Sequence, residues 1–146
     1  MIQRIQSIWL LLAALVSALL MLDWYTGWLY IESAGGAEVS RLVTRAHIDT
    51  TIIAGAMILL PLIAIFMFRN RKQQKSLIWF SILACICFIG VMLAHTNLGK
   101  SDSPVPTTGS YQAGAVLPAI VIVFLILALR GISKDDKLVK SMDRLR

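Results

Sequence analysis

Two apolar runs decide the fold: Thr50–Phe68, TTIIAGAMILLPLIAIFMF, and Leu77–Ala94, LIWFSILACICFIGVMLA, joined by the polar octapeptide Arg69-Asn70-Arg71-Lys72-Gln73-Gln74-Lys75-Ser76. Neither run holds an Asp, Glu, Lys, Arg or His. At a rise of 1.5 Å per residue, about eighteen residues cover roughly 27 Å, close to the hydrocarbon thickness of a bilayer. The connection is too short to cross back, so both runs enter from one face as a helical hairpin. Its basic residues, with no acid among them, assign the connection to the cytoplasm, where loops beside membrane helices retain Lys and Arg.

Composition agrees with a membrane chain. Of 146 residues, 58% are hydrophobic and only 15% charged, too little polar surface to solvate a soluble globule of this size and too much apolar content for disorder. The net charge of +6 does not point to nucleic acid, because the basic residues are scattered among short segments and not gathered on one groove-sized surface. The two cysteines, Cys85 and Cys87, both fall inside an apolar run, so they make neither a secreted disulfide framework nor a CxxC pair.

Working outward from the hairpin, two more spans emerge. The N-terminal run through residues 5–22 follows Arg4 and reads as a first span and not as a cleaved leader, with Trp24, Tyr25 and Trp28 suited to the far interface. The last run, residues 113–129, carries Pro118 as an interruption, and the second, 50–68, carries Pro61 as an expected kink. With the hairpin runs at 50–68 and 77–94, the expected architecture is an all-α antiparallel four-helix transmembrane bundle spanning residues 1–129. Asp49 with Thr50 and Thr51 marks the start of the second helix.

The outer segments are polar and short. Residues 23–49 carry β-rich flanks, Trp28-Leu29-Tyr30-Ile31 and Val39-Ser40-Arg41-Leu42-Val43, around Gly35-Gly36, and read either as a small hairpin or as a loop resting on the helix ends. Residues 96–112 are dense in Gly, Pro, Ser and Thr and read as an exposed loop. Counting by side tests the arrangement: segments 1–7, 69–76 and 130–146 hold eleven of the fourteen Lys and Arg, leaving Arg41, Arg45 and Lys100 outside. Both termini are therefore expected in the cytoplasm. Small residues at four-residue spacing, Ala14 and Ala18, Gly90 and Ala94, Ala115 and Ala119, are candidate close-approach positions within the bundle or between copies of a homo-oligomer.

The spans hold no ionisable residue, which argues against proton-coupled transport, since a charge retained in the membrane is kept for a function. No Ser–His pair or pair of acids gathers at one depth, so no catalytic residues are assigned and the reading leans away from an enzyme. His47 and His95 form the one constellation to weigh: the topology puts both at the outer ends of adjacent helices, where they could take a haem, a metal or a quinone headgroup. The reading preferred over this is that each is an interfacial residue bonded to water or a helix end, because no third His, and no Cys or Met on that side, completes a site. No cofactor and no metal is therefore assigned. Cys85 and Cys87, two apart on a helix, diverge by roughly 200° and read as packing.

Residues 130–146 change character. Six basic and three acidic residues accompany Leu138, Met142 and Leu145 on one helical face, and Ser133 with Asp136 resembles a capping box, so a short amphipathic cytoplasmic helix is expected. Lys134, Lys137 and Lys140 can rest on anionic lipid at about 1 kcal/mol each, while the apolar stripe can dock on a cytoplasmic partner. A solvated tail that only enforces topology is the competing reading.

The opening Met1-Ile2-Gln3-Arg4-Ile5-Gln6, the segment Pro61–Lys72, and the ending from Ala128-Leu129-Arg130 through Lys134-Asp135-Asp136-Lys137-Leu138-Val139-Lys140-Ser141 to Asp143-Arg144-Leu145-Arg146 resemble a family of small bacterial four-span membrane proteins classed as a domain of unknown function. The resemblance implies architecture and an inner-membrane location and brings no activity, cofactor or site residues. The leading functional expectation is a non-enzymatic accessory or scaffold subunit binding membrane partners. The competing one is a haem, quinone or lipid-ligand protein using the His47 and His95 region.

Overall fold

The computed structural model describes residues 2–21, 28–34, 37–44, 47–67, 70–99, 108–111 and 113–143. Four helices form the body: α1 (Ile2–Leu19), α2 (Ile48–Phe66), α3 (Arg71–Gly99) and α4 (Leu117–Asp143). Each packs on its neighbours in sequence, and α4 closes the ring on α1. Three strands, β1 (Trp28–Ala34), β2 (Ala37–Val43) and β3 (Thr108–Tyr111), make one antiparallel sheet of order β2-β1-β3, placed in the α1–α2 and α3–α4 connections. The bundle thus has a sheet end and, opposite it, a turn end where α2 passes into α3.

The packing is what an apolar solvent requires. Leu10, Met57, Phe88, Val121 and Leu125 are fully buried in the middle, while Ile52, Leu59, Leu83, Ile86 and Val123 on the same helices are largely exposed. In water such surface would drive association; against acyl chains it costs nothing, because lipid tails are as apolar as leucine. Two hydroxyls inside the apolar zone turn back on their own helices, Ser17 Oγ donating to the Ala13 carbonyl at 2.9 Å and Ser81 Oγ to the Leu77 carbonyl at 2.9 Å, so neither turns its hydrogen toward lipid. Helix α2, most of α3 and the first part of α4 are each long and apolar enough to cross a membrane; the apolar part of α1, Gln6–Leu19, is shorter. The protein reads as an all-α membrane bundle with a small sheet at one end.

Several boundaries differ from expectation. The polar octapeptide is not a loop: α3 begins at Arg71, because Arg, Lys and Gln are good helix formers and nothing between Arg71 and Ser76 breaks the chain. Buried Gln74 caps the preceding helix, its Nε2 donating at 3.1 Å to the Ala64 carbonyl, one of the last-turn acceptors that α2 cannot satisfy internally. Helix α2 starts one residue before Asp49, with His47 at its N-cap and Asp49 in its first turn, where a carboxylate faces the positive end of the helix dipole. The helix continues unbroken past Pro61. Pro118 does not interrupt α4 but sits in its first turn, where the missing N–H would have had no partner.

The first outer segment adopts the hairpin alternative, with Ala34 paired to Ala37 across the Gly-Gly dipeptide. The second outer segment is not all loop, since β3 pairs along the free edge of β1 from Tyr30–Tyr111 to Ser33–Thr108. A third strand gives the hairpin the support that an isolated pair lacks. Trp24 and Tyr25 fall outside the described residues, and Trp28 opens β1. Among the small residues, Ala14 is buried between helices, whereas Gly90, Ala94 and Ala119 face outward.

The C-terminal segment is not a separate short helix. Helix α4 runs without a break into it, so Ser133 and Asp136 lie mid-helix and cap nothing. Gly131, the one weak helix former near the junction, is held by packing: a Cβ there would lie 2.9 Å from Gln6 Cγ, so α1 and α4 approach closely at this residue. Asp135 is buried and accepts a hydrogen bond from Gln6 Nε2 at 2.7 Å, and Asp136 pairs with Lys75 Nζ of α3 at 2.8 Å. Asp135 and Asp136 thereby tie the extension of α4 to both of its neighbours, α1 and α3.

Candidate functional site

Among the described residues two places gather candidate side chains, one at each end of the bundle. At the sheet end the start of α2 is shaped by threonines. The Thr50 hydroxyl lies 2.7 Å from the Thr44 carbonyl and 2.8 Å from that of His47, and the Thr51 hydroxyl reaches the same two oxygens at 3.1 and 2.9 Å. These contacts tie the Thr44 and His47 carbonyls to the first turn of α2. The His47 side chain makes no capping bond, and its backbone is extended, at φ −122° and ψ 139°, so the imidazole is released from the helix it precedes.

That ring lies against His95 of α3, with centroids 4.1 Å apart and planes 12° from parallel. The antiparallel hairpin brings the start of α2 beside the far part of α3, and so the two histidines separated by 48 positions meet as the topology implies. Asp49 joins them: its Oδ2 is 2.8 Å from His95 Nε2. His95 and Asp49 are 25% and 46% exposed, so the cluster is open on one side and braced by helix on the other. One potential ligand atom from each of His47, Asp49 and His95 lies within 4.8 Å of the other two. Asp49 was missed as a member because an acid beside two threonines reads as a helix start; the available signal was its distance from His47, two residues away across an N-cap.

At the turn end a groove of about 530 Å³ runs between α3 and α4. Trp79, Ile82, Ile126 and Leu129 give it an apolar wall, and Arg130 and Lys134 a basic margin. Lys134 is exposed in this margin and Leu138 is exposed one turn further along α4. For Lys137, Lys140 and Met142 the described structure covers the helical backbone only, and Leu145 lies outside the described residues. Sequence reasoning missed the groove because its members come from two helices about fifty residues apart. The two cysteines do not converge: Cys85 is buried and Cys87 exposed on opposite faces of α3.

A bundle of apolar helices with these two polar margins defines a membrane protein. The chain belongs to the family described as Domain of unknown function (DUF4293), whose profile matches residues 2–145. No curated protein and no solved structure matches it.

Proposed function

We propose that the protein is a non-enzymatic accessory subunit of the bacterial inner membrane, with both termini cytoplasmic and α1 completing four spans, and that its working surface is the α3–α4 groove, which holds an anionic phospholipid of the cytoplasmic leaflet. The groove carries this reading. It pairs an apolar wall, including an indole suited to the membrane interface, with a margin of Arg130 and Lys134 suited to headgroups. Basic pockets between membrane helices on the cytoplasmic side suit acidic headgroups. The eleven-to-three bias of Lys and Arg supports the orientation. A lipid held this way would lie between the protein and a neighbouring membrane subunit, which is how an accessory protein without catalytic groups can act.

The test is lipid retention. Protein purified into nanodiscs of mixed phosphatidylglycerol and phosphatidylethanolamine should keep phosphatidylglycerol through delipidation. Replacing Arg130 and Lys134 together with Gln should lower that preference by roughly thirtyfold, from about 1 kcal/mol per cation. Equal retention of both lipids by the wild type would end the proposal. The stack of His47 on His95 favours a second reading, a ligand-binding site at the outer end, for which an absorbance spectrum of protein from native membranes tests haem directly.

A further inference from the structure

The cluster at the sheet end has the composition of a metal site. We propose that His47, Asp49 and His95 bind one divalent transition-metal ion, Zn²⁺ by donor type, with a fourth position open to water. Two imidazole nitrogens and one carboxylate oxygen are a donor set that zinc accepts when it keeps one position free. The site uses the opposite end of the bundle from the groove and stands or falls without it.

Position supports the donor set. Zinc bonds of 2.0–2.2 Å at tetrahedral angles put ligand atoms about 3.3 Å apart. The three atoms already lie within 4.8 Å of one another, so side-chain rotation covers the remainder with no change of helix position. The Asp49–His95 contact at 2.8 Å holds two of the three donors together before metal arrives. His47 is unused by the cap, and the threonine hydroxyls hold its backbone in the conformation that turns the ring toward α3. Partial exposure of Asp49 and His95 supplies the path by which a hydrated ion enters.

Metal binding needs the Nε2 lone pair: His95 would ligate as a neutral imidazole with its one proton on Nδ1, and Nε2 and Asp49 Oδ2 would exchange their mutual contact for bonds to the cation. No oxidation change occurs, which suits a redox-inert ion. The metal then links the first turn of α2 to α3, so an ion that binds only the folded bundle raises its stability.

Zn²⁺ titrated into full-length, tag-free protein after EDTA treatment should bind at one equivalent per chain and raise the unfolding temperature. X-ray absorption at the zinc edge should show nitrogen and oxygen neighbours only, with no sulfur, excluding Cys87. Asp49→Asn keeps the size of the side chain and its hydrogen bond to His95 and should lower affinity at least tenfold, and His95→Ala should abolish stoichiometric binding. Metal-free unfolding of Asp49→Asn reports that the bundle is intact. Failure of the wild type to bind one equivalent, or binding that survives both substitutions, overturns the site.

Discussion

The two ends of the bundle solve the same problem differently. Both must bring polar side chains together beside an apolar core. At the turn end each contact joins different helices through buried or half-buried groups: Gln6 to Asp135, Gln74 to the Ala64 carbonyl, Lys75 to Asp136. At the sheet end the contacts that set the start of α2 are local and duplicated, two threonine hydroxyls serving the same two carbonyls, while the Asp49–His95 pair that joins α2 to α3 is left partly open. Fastening belongs to one end and availability to the other. A buried pair leaves nothing for a ligand to reach, whereas a partly exposed cluster whose backbone is held by other residues keeps its donors within reach of solvent.

The largest effect should come from breaking the turn end at its buried side-chain pair, Gln6 and Asp135. Gln6→Leu removes the donor to Asp135, which is 8% exposed, and leaves a carboxylate in an apolar setting. A buried charge stripped of its partner costs about 3 kcal/mol. Thermal unfolding in detergent should fall accordingly, and Asp135→Leu on the same background should restore much of the loss, because two apolar groups need no partner. Full stability of Gln6→Leu alone would show that the turn end is not fastened here.

How much of this was legible depends on the range of each signal. Membrane spans are written as local composition, so the apolar runs of α2, α3 and α4 could be read directly. The Gln6–Asp135 bond joins residues 129 apart, and neither residue type announces it. The same holds for β3, four residues whose strand character comes from the edge of β1 and not from their own alternation. The continuity of α4 was hidden for a different reason: Ser133 and Asp136 have the spacing of a helix start, and only the unbroken helix, packed on Gln6 at Gly131, shows that no start occurs. At the candidate site the two histidines followed from topology, while Asp49 required the geometry of the N-cap.

A middle-sized effect is expected at the sheet end. Thr50→Val keeps the shape of a fully buried side chain and deletes its hydroxyl, the closest donor to the Thr44 carbonyl. The loss of one buried hydrogen bond is about 1 kcal/mol. It should stay near that value because the Thr51 hydroxyl still reaches both carbonyls and the Thr51 amide still donates to the His47 carbonyl at 3.1 Å. A double substitution with Thr51→Val should cost more than the sum of the two singles, measured by unfolding, since the second hydroxyl then has no deputy. Strict additivity would remove duplication from the account of this end.

The smallest effect separates fastening by burial from fastening by charge. Lys75 and Asp136 meet at 2.8 Å, but their side chains are 28% and 30% exposed. A pair that keeps this much solvent is worth about 0.5 kcal/mol and weakens as salt rises. Lys75→Gln should therefore lower stability only slightly, and the difference from wild type should shrink between low and high ionic strength. The Gln6 contact, shielded from counterions, should lose the same amount at either salt concentration. If Lys75→Gln costs as much as Gln6→Leu, and does so independently of salt, then the charge pair and not the buried amide holds α4 to the bundle, and the extension of α4 is anchored through α3 instead of α1.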